Sequence, residues 1–320
     1  MSRVEPESVT TVGIVGCGVI GGGWALHFLA QGLHVLACDP HPRAAERFAA
    51  MAEAAWPQLV RLGLKPGASL DNIQFLGRVE EVASRSDVIQ ESTPESLESK
   101  VAMLARIDAA ASPDAPILSS TSGLRMTDMQ VGCRHPDRTA VGHPWNPPYL
   151  IPLVEVVGGE LSDPAVVEWA ARFYAAFGKK VVKMDREVPG FIATRLQEAL
   201  WREMLHMIDA GEATPEQIDD AVRFGPGLRW AILGPSMVYH LAGGEGGMAY
   251  VLEQFGPSLK WPWTRLEAPE LTERLSRLLV EGCDRMAAGR SLAEMTADRD
   301  HYLVELLALL SRDRAGKEPS

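Results

Sequence analysis

Three residues in the middle of this 320-residue chain could together take a proton from an alcohol. His143 stands in Gly142-His143-Pro144-Trp145-Asn146-Pro147, Glu155 lies inside the apolar run Ile151 to Val157, and Ser122 closes Ser119-Ser120-Thr121-Ser122. A neutral imidazole has the proton affinity of a general base near pH 7. A buried carboxylate behind it would orient the ring and stabilise the imidazolium formed, and a hydroxyl nearby could hold the developing alkoxide. Singly, each residue has a blander reading. A His beside Pro can be a turn residue, a Glu between Leu153, Val154 and Val156 can face solvent from an edge strand, and Ser122 can cap a turn. Their joint meaning depends on what accepts the hydride.

The N-terminal motif supplies that acceptor. Gly16-Cys17-Gly18-Val19-Ile20-Gly21 reads GxGxxG between an apolar β-type run and a helical pattern. The first glycine permits a tight turn, the second lets backbone approach a pyrophosphate, and the third allows close helix–strand packing. The helix N-terminus then offers N–H groups to the phosphates. Asp39 ends the next strand, near the spacing of a carboxylate that bonds the adenosine ribose. A carboxylate there repels a 2′-phosphate, so NAD is expected over NADP. FAD is the lesser nucleotide alternative, and a plain glycine turn with Asp39 as a helix cap before Pro40 is the structural one.

The elements that must position these groups follow a βαβ rhythm. Strands are expected at Thr11 to Val15, His34 to Cys38, Ile73 to Leu76, Asp87 to Gln90, Pro116 to Ser119, Thr139 to Gly142, Leu153 to Val157 and Lys180 to Lys183. Helices are expected at Gly22 to Gln31, Pro42 to Leu62, Glu95 to Ala110 and Pro164 to Phe177. Such alternation predicts a parallel sheet whose carboxyl edge binds the ligand. After Val188 the strand signal ceases. Phe191 to Ala210 is helical in spacing, Thr214-Pro215-Glu216-Gln217 has the form of a capping box, and further helices are expected at Glu270 to Ala288 and Ser291 to Leu310. The fold class is therefore α/β, a Rossmann-type sheet domain over residues 1–187 followed by an all-helical domain over 188–320. The tail Arg312 to Ser320 is expected to fray.

Charge and composition narrow the function classes. A formal net charge of −11 makes nucleic acid and anionic lipid poor partners. Four scattered cysteines without CxxC or metal-type spacing suit a reducing cytosol, and no metal site is expected. The stretch from Ser8 to Cys38 carries no Asp, Glu, Lys or Arg and would trip a hydropathy scan. Its many glycines, two histidines and the acidic leader before it argue instead for two buried strands around a helix. A cytoplasmic protein without a membrane span is expected.

Together GxGxxG with Asp39, Glu95 and Lys100, Ser120-Thr121-Ser122-Gly123-Leu124, Gly142-His143-Pro144-Trp145-Asn146-Pro147, Glu155 and Pro189-Gly190-Phe191-Ile192-Ala193-Thr194-Arg195-Leu196 resemble the 3-hydroxyacyl-CoA dehydrogenase family over essentially the whole chain. The resemblance implies that His143 and Glu155 are the catalytic pair and that Ser122 matches the family's serine. It places NAD contacts on the loop residues Gly16, Cys17, Gly18, Val19, Ile20 and Gly21 and on Asp39, Glu95, Lys100 and Asn146. It also implies a homodimer through the helical half. Two positions depart from the family pattern: Thr194 stands where Asn is usual, and Ser120 replaces the common Asn before Thr121.

The second half resembles one branch of that family, the carnitine 3-dehydrogenases, in Trp201-Arg202-Glu203, Arg223 to Trp230, Leu241 to Gly244 and Gln254 to Pro257. The resemblance implies a small zwitterionic substrate, L-carnitine, oxidised at its 3-hydroxyl. L-gulonate, a 3-hydroxyacyl-CoA, or a non-catalytic crystallin-like role remain the alternatives, and the segment Arg43 to Lys65 carries few basic residues for a CoA clamp. A quaternary ammonium favours aromatic faces, and Trp145, Trp230, Tyr239, Phe255, Trp261 and Trp263 supply them. Glu198 follows Thr194 by one helical turn, so both should face one cleft, although Glu198 could instead bridge to Arg202. Arg229 offers a bidentate fork for the substrate carboxylate. The expected substrate contacts are Ser122, Trp145, Thr194, Glu198, Arg229 and Phe255.

Overall fold

A computed structural model of the chain describes residues 4–231, 233–257, 264, 270 and 272–315. Each apolar run of the first half becomes a strand: β1 (Thr11–Val15), β2 (His34–Cys38), β3 (Ile73–Phe75), β4 (Val88–Glu91), β5 (Ile117–Ser119), β6 (Thr139–Pro144), β7 (Leu153–Val157) and β8 (Lys180–Lys183). They form one sheet in the order β3-β2-β1-β4-β5-β6-β7-β8. The helices between them are α1 (Val19–Ala30), α2 (Ala44–Leu62), α3 (Val79–Arg85), α4 (Leu97–Ala110), α5 (Met126–Met129) and α6 (Pro164–Ala176).

All neighbouring strands are parallel except β6 and β7. The exception has a simple cause. Parallel partners need a crossover, usually a helix, whereas β6 and β7 are joined only by the Trp145–Pro152 connection, so the chain doubles back. The uniformly parallel sheet read from the sequence is corrected at this edge. The order reverses between β1 and β4, and an open sheet binds ligand in the crevice at such a switch point.

Both faces of the sheet are covered. On one side Trp24 and Phe28 of α1 stack at 5.2 Å and join Trp169, Phe173 and Tyr174 of α6. On the other, Leu104 and Ile107 of α4 pack with Val82, Ile89, Ile117 and Val141. Burial on both faces is why the strands read as continuous apolar runs rather than alternating ones.

The second half is helical: α7 (Ala193–Asp209), α8 (Pro215–Phe224), α9 (Pro226–Trp230), α10 (Pro235–Ala242), α11 (Gly247–Phe255), α12 (Glu273–Ala287) and α13 (Leu292–Ala315). The Thr214–Gln217 capping box is formed in both directions. Several helices differ from the sequence reading, among them α5, α9, α10 and α11, which were not expected as separate elements. The short α3 had no periodic signature of its own, and α13 runs on to Ala315 instead of ending near Leu310. The chain divides into two compact units, one up to Arg195 together with Ala297–Ala308, the other from Leu196 to Thr296 and from Leu309 onward. In the second unit Leu205 and Ile208 of α7, Ile218 of α8 and Leu275 of α12 make a small core. Among the described residues no helix is long and apolar enough to cross a membrane.

Candidate active site

The glycine motif is built as a strand–turn–helix. Gly16 leaves β1 with φ +86°, a conformation that disfavours a side chain, and a Cβ there would also meet the carbonyl of Ser92 at 2.7 Å. A Cβ on Gly21 would sit 1.8 Å from the Gly16 carbonyl oxygen. Gly18 differs: a Cβ on it would meet no protein atom within 4 Å. Nothing among the described residues crowds a side chain at Gly18, so the constraint there points outward, to a group that must approach the backbone closely. Gly18 is also the N-cap of α1 and provides no side-chain cap, which leaves the first-turn N–H groups to an anion. Asp39 is locked at the end of β2, one carboxylate oxygen accepting from Cys17 N–H at 2.7 Å and the other from His41 N–H at 2.8 Å. Burial, then the Asp39 charge, pushes the Cys17 thiol up to about 12, so it stays protonated. These features fit a dinucleotide with an unphosphorylated ribose.

The antiparallel register sets His143 on β6 directly opposite Glu155 on β7. His143 Nδ1 lies 2.9 Å from Glu155 Oε2. The other oxygen, Oε1, accepts from the backbone N–H groups of Ile192 and Ala193, both at 2.9 Å. Those are unsatisfied donors at the start of α7, so Glu155 orients the imidazole and caps a helix at once. Burial pushes the Glu155 carboxyl up, but the His143 bond and the two N–H donors outweigh it and hold it below the usual range. The turn that presents these donors is strained. Gly190 has φ 69°, and Phe191, a residue with a Cβ, has φ 53°, which costs on the order of 1–3 kcal/mol. The reason is visible in packing: the buried Phe191 ring lies 5.4 Å from the His143 ring. Sequence reasoning singled out this segment but missed that its backbone holds Glu155.

Ser122 stands just past β5, and His143 near the end of the adjacent parallel strand β6. Its loop is tied from beneath. Ser122 N–H and Thr121 Oγ1 both donate to Glu95 Oε1, at 2.9 and 2.5 Å, and Ser119 Oγ donates to Glu91. Ser120, the residue that departs from the family pattern, accepts from Trp24 Nε1 at 3.2 Å and from Gln90 Nε2 at 2.7 Å. Lys100, expected at the cofactor, is buried with its ammonium on Glu91 at 3.0 and 3.1 Å, on the Thr93 carbonyl at 3.1 Å and near Glu95 at 3.6 Å. Glu91 went unnoticed in the sequence. An acid at the end of a strand, facing a lysine one strand–helix turn later, was its only signal.

Trp145 packs its ring edge-on to His143, 6.1 Å between centroids, and its buried indole N–H has no partner among the described residues. Asn146 follows it, exposed, before a cis bond to Pro147. Thr194 lies half-buried in the first turn of α7. In the second unit, Glu198 lines a recess of about 320 Å³ with Gln197, Leu200, Trp201 and Met204. Arg229 and Trp230 are exposed on α9, Tyr239 on α10 and Phe255 on α11. Trp261 and Trp263 lie outside the described residues. No group of three or more His, Cys, Asp or Glu side chains suited to a metal ion occurs among the described residues.

Comparison with known proteins agrees with this layout. The family model described as 3-hydroxyacyl-CoA dehydrogenase, NAD binding domain, matches residues 11–188, and the C-terminal domain of the same family matches 190–280. The chain is 57% identical to an L-carnitine dehydrogenase of Streptomyces coelicolor, covering 96% of this chain and 97% of that one. It is 46% identical to an L-carnitine dehydrogenase of Bacillus cereus, covering 98% and 96%. Among solved structures it superposes with TM-score 0.79 on 5-formyl-3-hydroxy-2-methylpyridine 4-carboxylic acid 5-dehydrogenase, an NAD-dependent dismutase, at 26% identity over 97% of this chain and 99% of that one. A 3-hydroxybutyryl-CoA dehydrogenase of Escherichia coli K12 is 27% identical with TM-score 0.64, over 86% of this chain and 57% of that one.

Proposed function

The chain belongs to the 3-hydroxyacyl-CoA dehydrogenase family, and from that premise we propose that it oxidises the 3-hydroxyl of L-carnitine to 3-dehydrocarnitine with NAD as hydride acceptor. The observation that carries the choice of substrate is the 46–57% identity, over nearly the full length, to relatives of that activity. The Gly16–Gly21 loop would hold the pyrophosphate and Asp39 the adenosine ribose of NAD, whose nicotinamide would supply the hydride acceptor.

The residues do the rest. Glu155 Oε2 accepts from His143 Nδ1–H, which fixes the tautomer and leaves Nε2 as the base toward the substrate hydroxyl. As His143 becomes an imidazolium, the Glu155 carboxylate stabilises it without itself taking the proton. Phe191 and Trp145 flank the ring and keep water from it. Ser122 Oγ, set at the mouth of β5, steadies the developing alkoxide. Glu95, Lys100 and Asn146 complete the cofactor side, with Lys100 acting from its seat on Glu91. Among the expected substrate contacts we assign Arg229 to the carboxylate, Glu198 with the aromatic Trp145 and Phe255 to the trimethylammonium, and Thr194 as a further contact.

The functional boundary is placed at 187/188, just after the last strand, with substrate recognition and dimerisation in 188–320. A cytoplasmic homodimer is part of the same reading. Phe224, Leu228, Trp230, Tyr239, Leu241, Leu252 and Phe255, all in the second unit, expose large apolar side chains that a second copy would cover. The free cysteines Cys17, Cys38 and Cys133 suit a reducing compartment. The test is turnover with NAD at alkaline pH, read as NADH absorbance, across L-carnitine, L-gulonate and 3-hydroxybutyryl-CoA. Carnitine should be preferred by a wide margin in kcat/KM. Faster oxidation of the thioester would overturn the substrate and leave the His143 mechanism standing.

A further inference from the structure

One buried cation takes no part in the chemistry above. Lys179 closes the turn from α6 into β8 and is 7% exposed. Its ammonium donates to the carbonyl oxygens of Pro148 and, at 3.1 Å, Ile151, and sits 5.0 Å from the centre of the Trp24 ring. Burial pushes its pKa down to about 7, so holding a lysine here works against stability, and an aliphatic side chain would fill the same space without that penalty. Both acceptors belong to one segment, the connection that turns β6 back into β7. That connection begins with Trp145 and Asn146 and closes the pair that sets His143 opposite Glu155. Helix α1 packs closely on the same connection: a Cβ on Gly23 would lie 2.6 Å from Pro148 Cδ and 3.0 Å from its Cγ. The Trp24 ring under the ammonium also bonds Ser120 in the Ser122 loop.

We propose that Lys179 is a positioning residue for the active site: by tying the Pro148 and Ile151 carbonyls against the Gly23 face of α1, it sets where Trp145 and Asn146 stand. The inference rests on the reading that those two side chains touch substrate and cofactor. An ammonium has three N–H donors and a neutral amine two, so both carbonyls are served on either side of neutrality.

The test uses the full chain with Lys179→Met, Gly23→Ala and the double variant Gly23→Ala/Pro148→Ala. Lys179→Met should raise both the dissociation constant of NADH, read by fluorescence, and the KM for carnitine by about fivefold or more, while kcat falls much less, because the His143–Glu155 pair is untouched. Gly23→Ala crowds the same connection at Pro148 and should shift both constants the same way. Removing the proline ring in the double variant should restore them. The proposal is overturned if Lys179→Met binds NADH and carnitine as wild type does, whatever its thermal midpoint. It is equally overturned if the double variant shows no recovery, and that comparison stands even if Lys179→Met fails to fold. NADH binding does not depend on the substrate's identity, so a wild type inactive on carnitine would sink the proposed function while these binding constants still decide the role of Lys179.

Discussion

Glu155→Gln replaces one oxygen by an amide nitrogen and keeps the shape, and the structure dictates how the amide must sit. Oε1 accepts from two backbone N–H groups, those of Ile192 and Ala193, whereas Oε2 meets only His143 Nδ1. Placing the NH2 against Ile192 and Ala193 would set donors against two donors in a buried site, so the amide oxygen goes there and the NH2 faces His143. Nδ1 must then accept, which puts the ring proton on Nε2 and removes the base. Loss of the charged hydrogen bond alone is worth about 1.5–3 kcal/mol, or roughly 10- to 150-fold in rate. The inverted tautomer adds to it, and carboxylate-to-amide changes behind a catalytic imidazole reach about 10⁴ in turnover. The expected result is a fall in kcat of about 10²- to 10⁴-fold, with NADH affinity near wild type and the helix cap of α7 retained. Stopped-flow hydride transfer, NADH fluorescence titration and the thermal midpoint read the three quantities. A variant within tenfold of wild-type kcat would refute the tautomer argument.

Three further outcomes follow from the same geometry. Asp39→Ser removes the carboxylate that accepts from Cys17 and His41 N–H; kcat/KM for NAD should drop and that for NADP rise, and an unchanged ratio would remove Asp39 from the ribose. Glu198→Gln should raise KM for carnitine by roughly 1–2 kcal/mol equivalent while sparing the uncharged-tail analogue 3-hydroxybutyrate, whereas Arg229→Met should penalise both; equal harm from Glu198→Gln would make it a plain helix residue. The third concerns pH. Lys179 titrates near 7 in the fold and near 10.4 when unfolded, so its charging penalty is fully present below pH 7 and is relieved as pH rises from there. Between pH 7 and 9 wild type should therefore gain roughly 2 kcal/mol relative to Lys179→Met in denaturant unfolding; a constant gap would mean that the lysine is not held in a costly site.

Much of this was legible without coordinates, because it is local. The glycine turn, the strand periods and the Thr214 capping box are short-range patterns whose physics acts within a few residues. The sheet order, the doubling back of β7 and the resulting His143–Glu155 register depend on which crossovers are helices and which are loops, a global matter. The second task of Glu155, capping α7, needed Phe191 forced into a left-handed conformation, which no propensity would suggest. Lys100 shows the limit in the other direction: the family resemblance implied a cofactor contact, but no sequence pattern indicated that the fold would bury its ammonium on Glu91. A sequence states which groups carry charge. Which partner neutralises each one is decided when burial removes water and leaves only the neighbours that the topology has brought within bonding distance.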